Sequence, residues 1–185
     1  GGNLLALRQD NLSRLLAYSS ISHAGFLLAA VWAWAKNGIW ASPASTVYFY
    51  LWTYWIMNMG AFLFLKWSGL KTISQLRGWG RNDPLAAGCF VVLLLSLGGI
   101  PPTAGFLAKL FVFWDLIQTG GVWLAALAAL NSLLALGYYF RMIKAVTLED
   151  GPKGEALVPG ARAGLLLFAA ASALLGVAPQ LLAEL

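Results

Sequence analysis

Cysteine and histidine are almost absent from this sequence of 185 residues, which contains one of each, Cys89 and His23. A lone cysteine within an apolar run excludes a disulfide framework and a cysteine-based metal site within these residues. The carboxylates are scattered, so an all-protein metal site is not expected either. The sequence also lacks a glycine-rich phosphate loop, a catalytic triad pattern and the paired ligands of an iron–sulfur cluster or haem. We therefore predict no metal site, no bound cofactor and no redox centre on this chain.

Charged residues are also scarce, at 10% of the sequence against about 25% in a typical soluble domain. Hydrophobic residues make up 60%, and most charges fall between long apolar runs such as LLLFAAASALLGVA. Soluble amphipathic helices have a polar face, and these runs have none. The net charge of +5 comes from basic residues placed singly or in pairs near the ends of these runs, which does not indicate nucleic-acid binding. The composition indicates an all-α, polytopic transmembrane helix bundle.

The apolar runs and the turns between them predict where the membrane helices lie. About 20 apolar residues cross the roughly 30 Å of membrane hydrocarbon, and residues 1–8 are interpreted as the end of a helix. Between two runs, segment 68–83 carries an apolar residue at every third position from Leu70 to Trp79, which predicts a short helix in the membrane interface. The other predicted spans are 15–34, 46–65, 84–99, 103–118, 122–146 and 163–182.

The sequence LLLSLGGIPPTAGFLAKLFVFWDLI, residues 93–117, places two prolines and then a lysine inside an apolar region. Prolines remove backbone donors and glycines weaken a helix, so Gly98, Gly99, Pro101 and Pro102 predict a helix break. The two flanking pieces, of about 14 to 17 residues each, are short for a full crossing. Broken helices at membrane depth are tolerated inside protein or beside water, and they are typical of transporters.

Lys109 follows this break and lies about 9 Å along a helix from Thr103. One interpretation is structural, because a lysine near the membrane surface can extend its ammonium group to water. We favour a functional one, because ionisable groups within spans usually face a polar cavity on an ion pathway. The sequence therefore predicts that Lys109 is a proton carrier. Asp115 is rotated about 120° from Lys109 on the same helix and is interpreted as an interfacial carboxylate.

A second polar group occurs in the sequence AYSSISHAG, where Ser19, Ser22 and His23 share one side of a helix. Imidazole exchanges protons near neutral pH and hydroxyls hold water chains, so these three residues are candidates for a proton relay. Thr53 on the next span is a further candidate. Hydrogen bonds that hold helices together are the alternative role for all four, and the sequence alone leaves both open.

These motifs resemble those of a known family. The sequences NLSRLLAYSSISHAGFLL and LLLSLGGIPPTAGFLAKLFVF are similar to the antiporter-like membrane subunits of respiratory complex I, the proton-pumping NADH:quinone oxidoreductase, and specifically to subunit N, also called subunit 2. The sequences LRGWGRNDPLAAG and NSLLALGYYFRMI resemble the segments before and after the same helix. Together these motifs cover nearly the whole chain.

The resemblance implies a fold with two inverted five-helix repeats, each containing a discontinuous helix. This chain would be the C-terminal portion, with the second repeat, its discontinuous helix broken at Gly-Ile-Pro-Pro, and a final helix. Lys109 matches the family's lysine on that discontinuous helix, which is assigned to the proton pathway. The charged residues of the first repeat lie outside this sequence.

The resemblance also implies a function. The chain would be a proton-translocating subunit of an enzyme that is driven by quinone reduction elsewhere in the complex. FMN, iron–sulfur clusters and quinone would belong to the complex as a whole. The partners would be neighbouring antiporter-like and small membrane subunits and lipids, with no nucleic acid. The richness in Ala, Leu and Gly favours a bacterial plasma (inner) membrane.

Two alternative functions and the orientation stay open. A subunit of a multisubunit sodium/proton antiporter shares the pattern from Gly-Ile-Pro-Pro to lysine, although AYSSISHAG and the lack of a lysine within the second span favour subunit N. A passive membrane scaffold would use Lys109 for packing or for lipid head groups.

The orientation in the membrane also stays open. If every predicted span crosses the membrane, six basic residues lie on one side and five on the other; a single crossing by 85–118 gives ten against one.

Overall fold

The structure, a computed structural model, describes residues 1–36, 44–151 and 155–179. In these ranges it consists of helices and connecting loops, with one isolated β-bridge and no strand. The helices are α1 (Gly2–Leu7), α2 (Leu12–Lys36), α3 (Ala44–Ser68), α4 (Ile73–Leu76), α5 (Pro84–Gly98), α6 (Ala104–Gln118), α7 (Val122–Thr147) and α8 (Pro159–Val177), with a 3₁₀ turn at Trp79–Arg81.

Helices α2, α7 and α8 are long and apolar enough, by length and composition, to cross a membrane. The predicted all-α transmembrane bundle is confirmed. Residues 180–182, the end of the last predicted span, lie outside the described residues.

The helices pack around two apolar cores. α8 packs against α3 and α5, while α2 packs against α3 and α6. In the larger core Phe64 of α3 stacks on Phe90 of α5, with ring centroids 4.0 Å apart. The smaller core surrounds Phe26, Tyr50 and Leu116 of α2, α3 and α6. Lys109 belongs to α6, which contributes to the smaller core.

Segment 68–83 folds over the end of the bundle where α3 ends and α5 begins. Thr72 caps α4 by accepting a hydrogen bond from the Gln75 N–H, and the Gln75 side chain accepts from the Thr72 N–H in return. This capping box satisfies backbone donors at the start of a very short helix. Ile73, Leu76 and Trp79 are buried in the larger core, which accounts for their spacing of three residues.

Helices α5 and α6 together make one crossing of the bundle. Each has 15 residues, or about 22 Å of helix. They overlap at the break, because Gly105 of α6 lies so close to the Ser96 carbonyl of α5 that a Cβ at Gly105 would collide with it. After α6, Gly121 packs on the ring of Trp32, near the end of α2 that is far from the start of α5. The overlap shortens the pair, so two helical pieces cover one span.

Because α5 and α6 make a single crossing, most of the described basic residues lie at the same end of the bundle, which we call the basic end. Backbone hydrogen bonds from Leu12 to Lys71 (2.9 Å) and from Gly78 to Ala145 (2.9 Å) join the segments that meet there. In the described ranges Lys36 lies at the opposite end and Lys109 lies between the two ends. The residues at the basic end are Arg8, Arg14, Lys66, Lys71, Arg77, Arg81, Arg141, Lys144 and Arg162.

Asp83 ties α8 to α5 at the basic end. Its Oδ1 accepts from the Ala86 N–H (3.2 Å), and its Oδ2 accepts from the Leu157 N–H (3.0 Å) and from Arg162 Nε (2.7 Å). Burial by itself raises the pKa of the Asp83 carboxyl, but the hydrogen bonds from Arg162 and from the two backbone N–H groups outweigh it. The pKa of Asp83 is therefore held below its ordinary value.

Candidate functional site

Lys109 lies at the helix break with its side chain buried, 4% exposed. Its Nζ donates hydrogen bonds to the carbonyl oxygens of Leu97 (3.0 Å) and Gly98 (2.9 Å) and to Ser132 Oγ (3.1 Å). Both carbonyls belong to the last turn of α5, where helix carbonyls have no partner within the helix and carry partial negative charge. The break therefore creates the acceptors that allow a charged lysine at this depth.

Gly99 shapes the site from the other side. It ends α5 with a φ of +80°, and its N–H donates to the carbonyls of Leu95 and Ser96, both at 2.9 Å. A Cβ at Gly99 would lie 2.8 Å from Lys109 Cδ and 3.1 Å from Nζ. Glycine is therefore required at position 99 for two reasons. Its backbone is left-handed, and the Lys109 side chain occupies the space that a Cβ would need.

A serine next to the break connects three helices. Ser96 Oγ accepts from the Gly105 N–H (3.1 Å) and is hydrogen-bonded to Ser172 Oγ of α8 (2.8 Å). Gly176 of α8 packs on the backbone of Pro102, so α8 covers one side of the break. Pro101 and Pro102 themselves are exposed in this chain. Ser96 thus joins α5, α6 and α8 where the break interrupts the helix.

Lys109 also contacts α2. Its Nζ lies 5.3 Å from the centroid of the Phe26 ring, a cation–π geometry, and Phe26 stacks on Tyr50. Phe26 is one helical turn from His23, so Lys109 faces the part of α2 that carries the candidate relay residues.

His23 is buried and lies in a row of hydrogen-bonding side chains. Its Nδ1 is 2.9 Å from the Tyr50 hydroxyl, and its Nε2 is 3.5 Å from the Tyr139 hydroxyl. The Tyr139 hydroxyl is in turn hydrogen-bonded to Ser19 Oγ. We call Ser19, Tyr139, His23 and Tyr50 the His23 row; it brings together groups from α2, α3 and α7.

Ser22 belongs to a different group. Its Oγ accepts from Asn131 Nδ2 of α7 (2.6 Å). Asn3 Nδ2 of α1 donates to the Asn131 carbonyl (2.6 Å) and to Asn131 Oδ1 (2.9 Å), and the Tyr138 hydroxyl donates to Asn3 Oδ1 (2.8 Å). We call Asn3, Ser22, Asn131 and Tyr138 the Asn131 cluster. Asn131 directly precedes Ser132, the partner of Lys109.

The structure does not join Thr53 or Asp115 to Lys109. Thr53 is buried, and its hydroxyl has no hydrogen-bond partner among the described residues. Asp115 is partly buried near the far end of α6, one of its carboxylate oxygens buried without a partner in the described ranges. Of the predicted site residues, Ser19 and His23 lie in one row, Ser22 lies in the Asn131 cluster, and Lys109 lies at the break.

Sequence reasoning missed the partners of these residues. Ser132, Asn131 and Asn3 are polar residues within or beside apolar runs, and the adjacent Asn131 and Ser132 at the middle of a span are the signal that could have been used. Tyr50 and Tyr139 give no such signal, because tyrosine is also frequent where helices pack or meet the membrane surface.

Chemically, the site holds one buried ammonium group that has hydrogen-bond acceptors on two helices, α5 and α7. Ionisable groups in such surroundings within a membrane typically take up and release protons. Within the described ranges, no three His, Cys, Asp or Glu side chains lie close enough together to hold a metal ion.

Comparison with known proteins gives a family match over residues 1–135, to the transmembrane family described as NADH:quinone oxidoreductase/Mrp antiporter. Similar curated proteins include NADH-quinone oxidoreductase subunit N 2 of Sorangium cellulosum (40% identical over 83% of this chain) and of Acidobacterium capsulatum (41% over 98%). Subunit N of Cupriavidus taiwanensis is 41% identical over the whole chain. The chain spans 31, 38 and 40% of the lengths of these three relatives.

Solved structures of membrane complexes also match this chain over nearly its whole length. A chain of respiratory complex I from Thermus thermophilus superposes with a TM-score of 0.85 at 34% identity; the match covers 99% of this chain and 42% of that one. A chain of the Mrp complex from a Dietzia species has a TM-score of 0.88 at 22% identity, covering 99% of this chain and 43% of that one. The second match concerns the fold alone.

Proposed function

The chain belongs to the NADH:quinone oxidoreductase/Mrp antiporter family of transmembrane proteins, and from that premise we propose that it acts in proton translocation as membrane subunit N of a respiratory NADH:quinone oxidoreductase. Identities of 40 and 41% to proteins named subunit N support this over an Mrp antiporter, for which the likeness is in fold at 22% identity. The observation that carries the proposal is the buried ammonium of Lys109 on the broken end of α5.

In this proposal Lys109 carries the proton. When it is charged, its three N–H donors meet three acceptors, Leu97 O, Gly98 O and Ser132 Oγ. When it loses the proton, the carbonyl end of α5 loses the positive charge that it faces. A change in the charge or hydration around this site therefore alters how firmly the proton is held, which a pump requires.

We propose Ser19, His23, Ser22 and Thr53 as relay residues that serve Lys109. Support comes from the His23 row, in which Ser19 and His23 are linked through the Tyr139 hydroxyl. Ser22 would act through the Asn131 cluster, and the buried Thr53 hydroxyl has an unused capacity for a hydrogen bond. Side chains of these types exchange or conduct protons within membranes.

The redox chemistry would take place on partner subunits. As part of an H⁺-translocating enzyme, the chain would couple to quinone reduction elsewhere, with FMN and iron–sulfur clusters bound by other subunits of the complex. Its own partners would be neighbouring antiporter-like and small membrane subunits and lipids. The broken α5–α6 pair would be the discontinuous helix of the second inverted repeat, α8 the final helix, and segment 68–83 would lie at the membrane interface.

The basic end supports a proposal for the orientation of the chain in the membrane. Lysine and arginine residues in short loops concentrate on the cytoplasmic side of membrane proteins. Nine of the described basic residues lie at the basic end and one, Lys36, lies at the opposite end. We therefore propose that the basic end faces the cytoplasm, in a bacterial plasma membrane.

The proposal is tested by replacing Lys109 with Met in the full-length subunit of the assembled complex. NADH:quinone reductase activity is expected to fall at least about tenfold without loss of assembly, since a proton-transfer group is removed. Lys36→Met is the matched control; this lysine lies over the ring of Trp32 at a helix end, and activity should stay normal.

Two results would contradict the proposal. Normal activity in Lys109→Met would support a passive scaffold. Purification with sodium/proton antiporter subunits instead of flavin and iron–sulfur subunits would assign the chain to an antiporter.

A further inference from the structure

The ammonium of Lys109 has a single side-chain hydrogen-bond partner among the described residues, Ser132 of α7. Its other two acceptors are main-chain carbonyls at the end of α5. Three donors therefore meet three acceptors. Any amino acid at positions 97 and 98 supplies a main-chain carbonyl, whereas the third acceptor depends on the serine side chain at position 132. Removing this hydroxyl would leave one N–H of a buried cation without a partner.

The residue before Ser132 fixes the rotation of α7. Consecutive residues on a helix point about 100° apart, so Ser132 can face α6 while Asn131 faces α1 and α2. Asn131 is held from both of these helices, by Asn3 at 2.6 and 2.9 Å and by Ser22 at 2.6 Å. With both neighbours attached to Asn131, α7 cannot rotate without breaking these three part-buried hydrogen bonds.

We propose that Ser132 is the positioning residue of Lys109, and that the Asn131 cluster holds Ser132 in place by fixing the rotation of α7. The inference rests on the proposed function of Lys109 as a proton carrier and deepens it. The hydroxyl keeps the ammonium at the end of α5, between the Phe26 ring and the last turn of that helix, so that the proton is always taken up and released at the same point.

The test uses Ser132→Ala and Ser132→Thr in the full-length subunit of the assembled complex, with proton pumping into inverted membrane vesicles as the readout. A hydrogen bond to a charged group is removed in the alanine variant, so the pumping rate should fall roughly tenfold with normal assembly. The threonine variant retains a hydroxyl and should keep most of the pumping. Cysteine is close in size to serine but is a weak hydrogen-bond partner, so Ser132→Cys should pump as poorly as Ser132→Ala. This variant separates the loss of the hydrogen bond from the loss of side-chain volume.

Thr147→Val is the matched control on the same helix, because the Thr147 hydroxyl bonds the Ile143 carbonyl of α7 itself. It should pump normally. Asn131→Leu, which keeps the size and removes the amide, should lower pumping as Ser132→Ala does, and the double variant should be little worse than either single one.

The outcomes separate this inference from the proposed function. If Lys109→Met stops pumping while Ser132→Ala pumps normally, the positioning role is overturned and the role of Lys109 stands. Equal losses in Ser132→Ala and Ser132→Thr, with normal assembly, would also overturn it, because the hydroxyl is present in one of them. If Lys109→Met itself pumps normally, the proposed function fails first.

Discussion

At the scale of single residues, Gly99 and Lys109 depend on each other. The left-handed turn at Gly99 ends α5 and leaves the carbonyls of Leu97 and Gly98 free, and the lysine supplies their donors. The aliphatic part of the lysine crosses the space that a side chain at position 99 would fill. The helix break and the charge thus form one local structure.

Gly99→Ala should therefore impair stability and, with Lys109 as the proposed proton carrier, proton transfer as well. A left-handed backbone costs an alanine about 1–2 kcal/mol, and the new methyl group would displace the Lys109 side chain. The thermal stability of the purified complex and its proton pumping should both fall. Gly88→Ala is the control, because Gly88 lies within α5 with open space around its Cα, and stability should be unchanged or slightly raised. Normal pumping in Gly99→Ala would contradict the close packing described here.

The sequence identifies a functional candidate when its residue type is rare within membrane helices, but it does not identify the contacts of residue types that are common there. A lysine within an apolar run is unusual, so Lys109 could be selected as a candidate before the structure was known. Asn131 and Ser132 stand out as a polar pair within an apolar span, but the partner of Ser132 is not visible in the sequence, because it is set by how α6 packs against α7. The same holds for Ser96, whose partners come from α6 and α8.

At the scale of elements, the sequence could place the helix break but not the path of the helices around it. Two glycines and two prolines within five residues disrupt a helix through local chemistry, which is sufficient to place the break. Whether α5 and α6 make one crossing or two depends on their overlap, which is a tertiary contact between Gly105 and Ser96. For this reason the orientation was undecided from the sequence.

The attachment of α8 to α5 gives a prediction for pH. Because the pKa of Asp83 is lower in the folded protein than its ordinary value, the carboxylate contributes stability above the unfolded pKa of about 3.9, and this contribution is lost as the pH falls through the folded pKa. Thermal unfolding of the purified complex should therefore occur at lower temperature in acid.

Asp83→Asn should remove this part of the acid dependence. At neutral pH it should cost about 1.5–3 kcal/mol, the worth of a hydrogen bond to a charged group. The control is Asp150→Asn, since Asp150 pairs with Arg81 at an exposed site and such pairs contribute little. Equal acid sensitivity in Asp83→Asn and the unsubstituted complex would show that other carboxylates set the pH dependence.

At the scale of the whole molecule, the family resemblance seen in two sequence motifs is confirmed by the family match over residues 1–135 and by homologues at 40–41% identity. The all-α bundle follows from composition, because apolar runs of this length have few alternatives in a membrane. The outward face of α7, with Leu130, Leu133 and Phe140 exposed, suits contact with lipid or with neighbouring membrane helices.

Orientation is testable with single cysteines in a Cys89→Ala background. Ser74→Cys lies at the basic end and Gln118→Cys at the opposite end, and both positions are exposed in this chain. A membrane-impermeant thiol reagent should label Gln118→Cys from outside intact spheroplasts and Ser74→Cys in inverted vesicles. The reverse pattern would contradict a cytoplasmic basic end.

The central claim is that Lys109 carries the translocated proton, and the number of protons taken up by inverted vesicles per NADH oxidised tests it most directly. In the full-length subunit, Lys109→Met should assemble and lose proton uptake, because no charge can form on the broken end of α5. Lys109→Arg keeps a cation that gives up its proton poorly, so partial uptake is expected. Unchanged protons per NADH in both variants would mean that Lys109 has a structural role and that the proton takes another route.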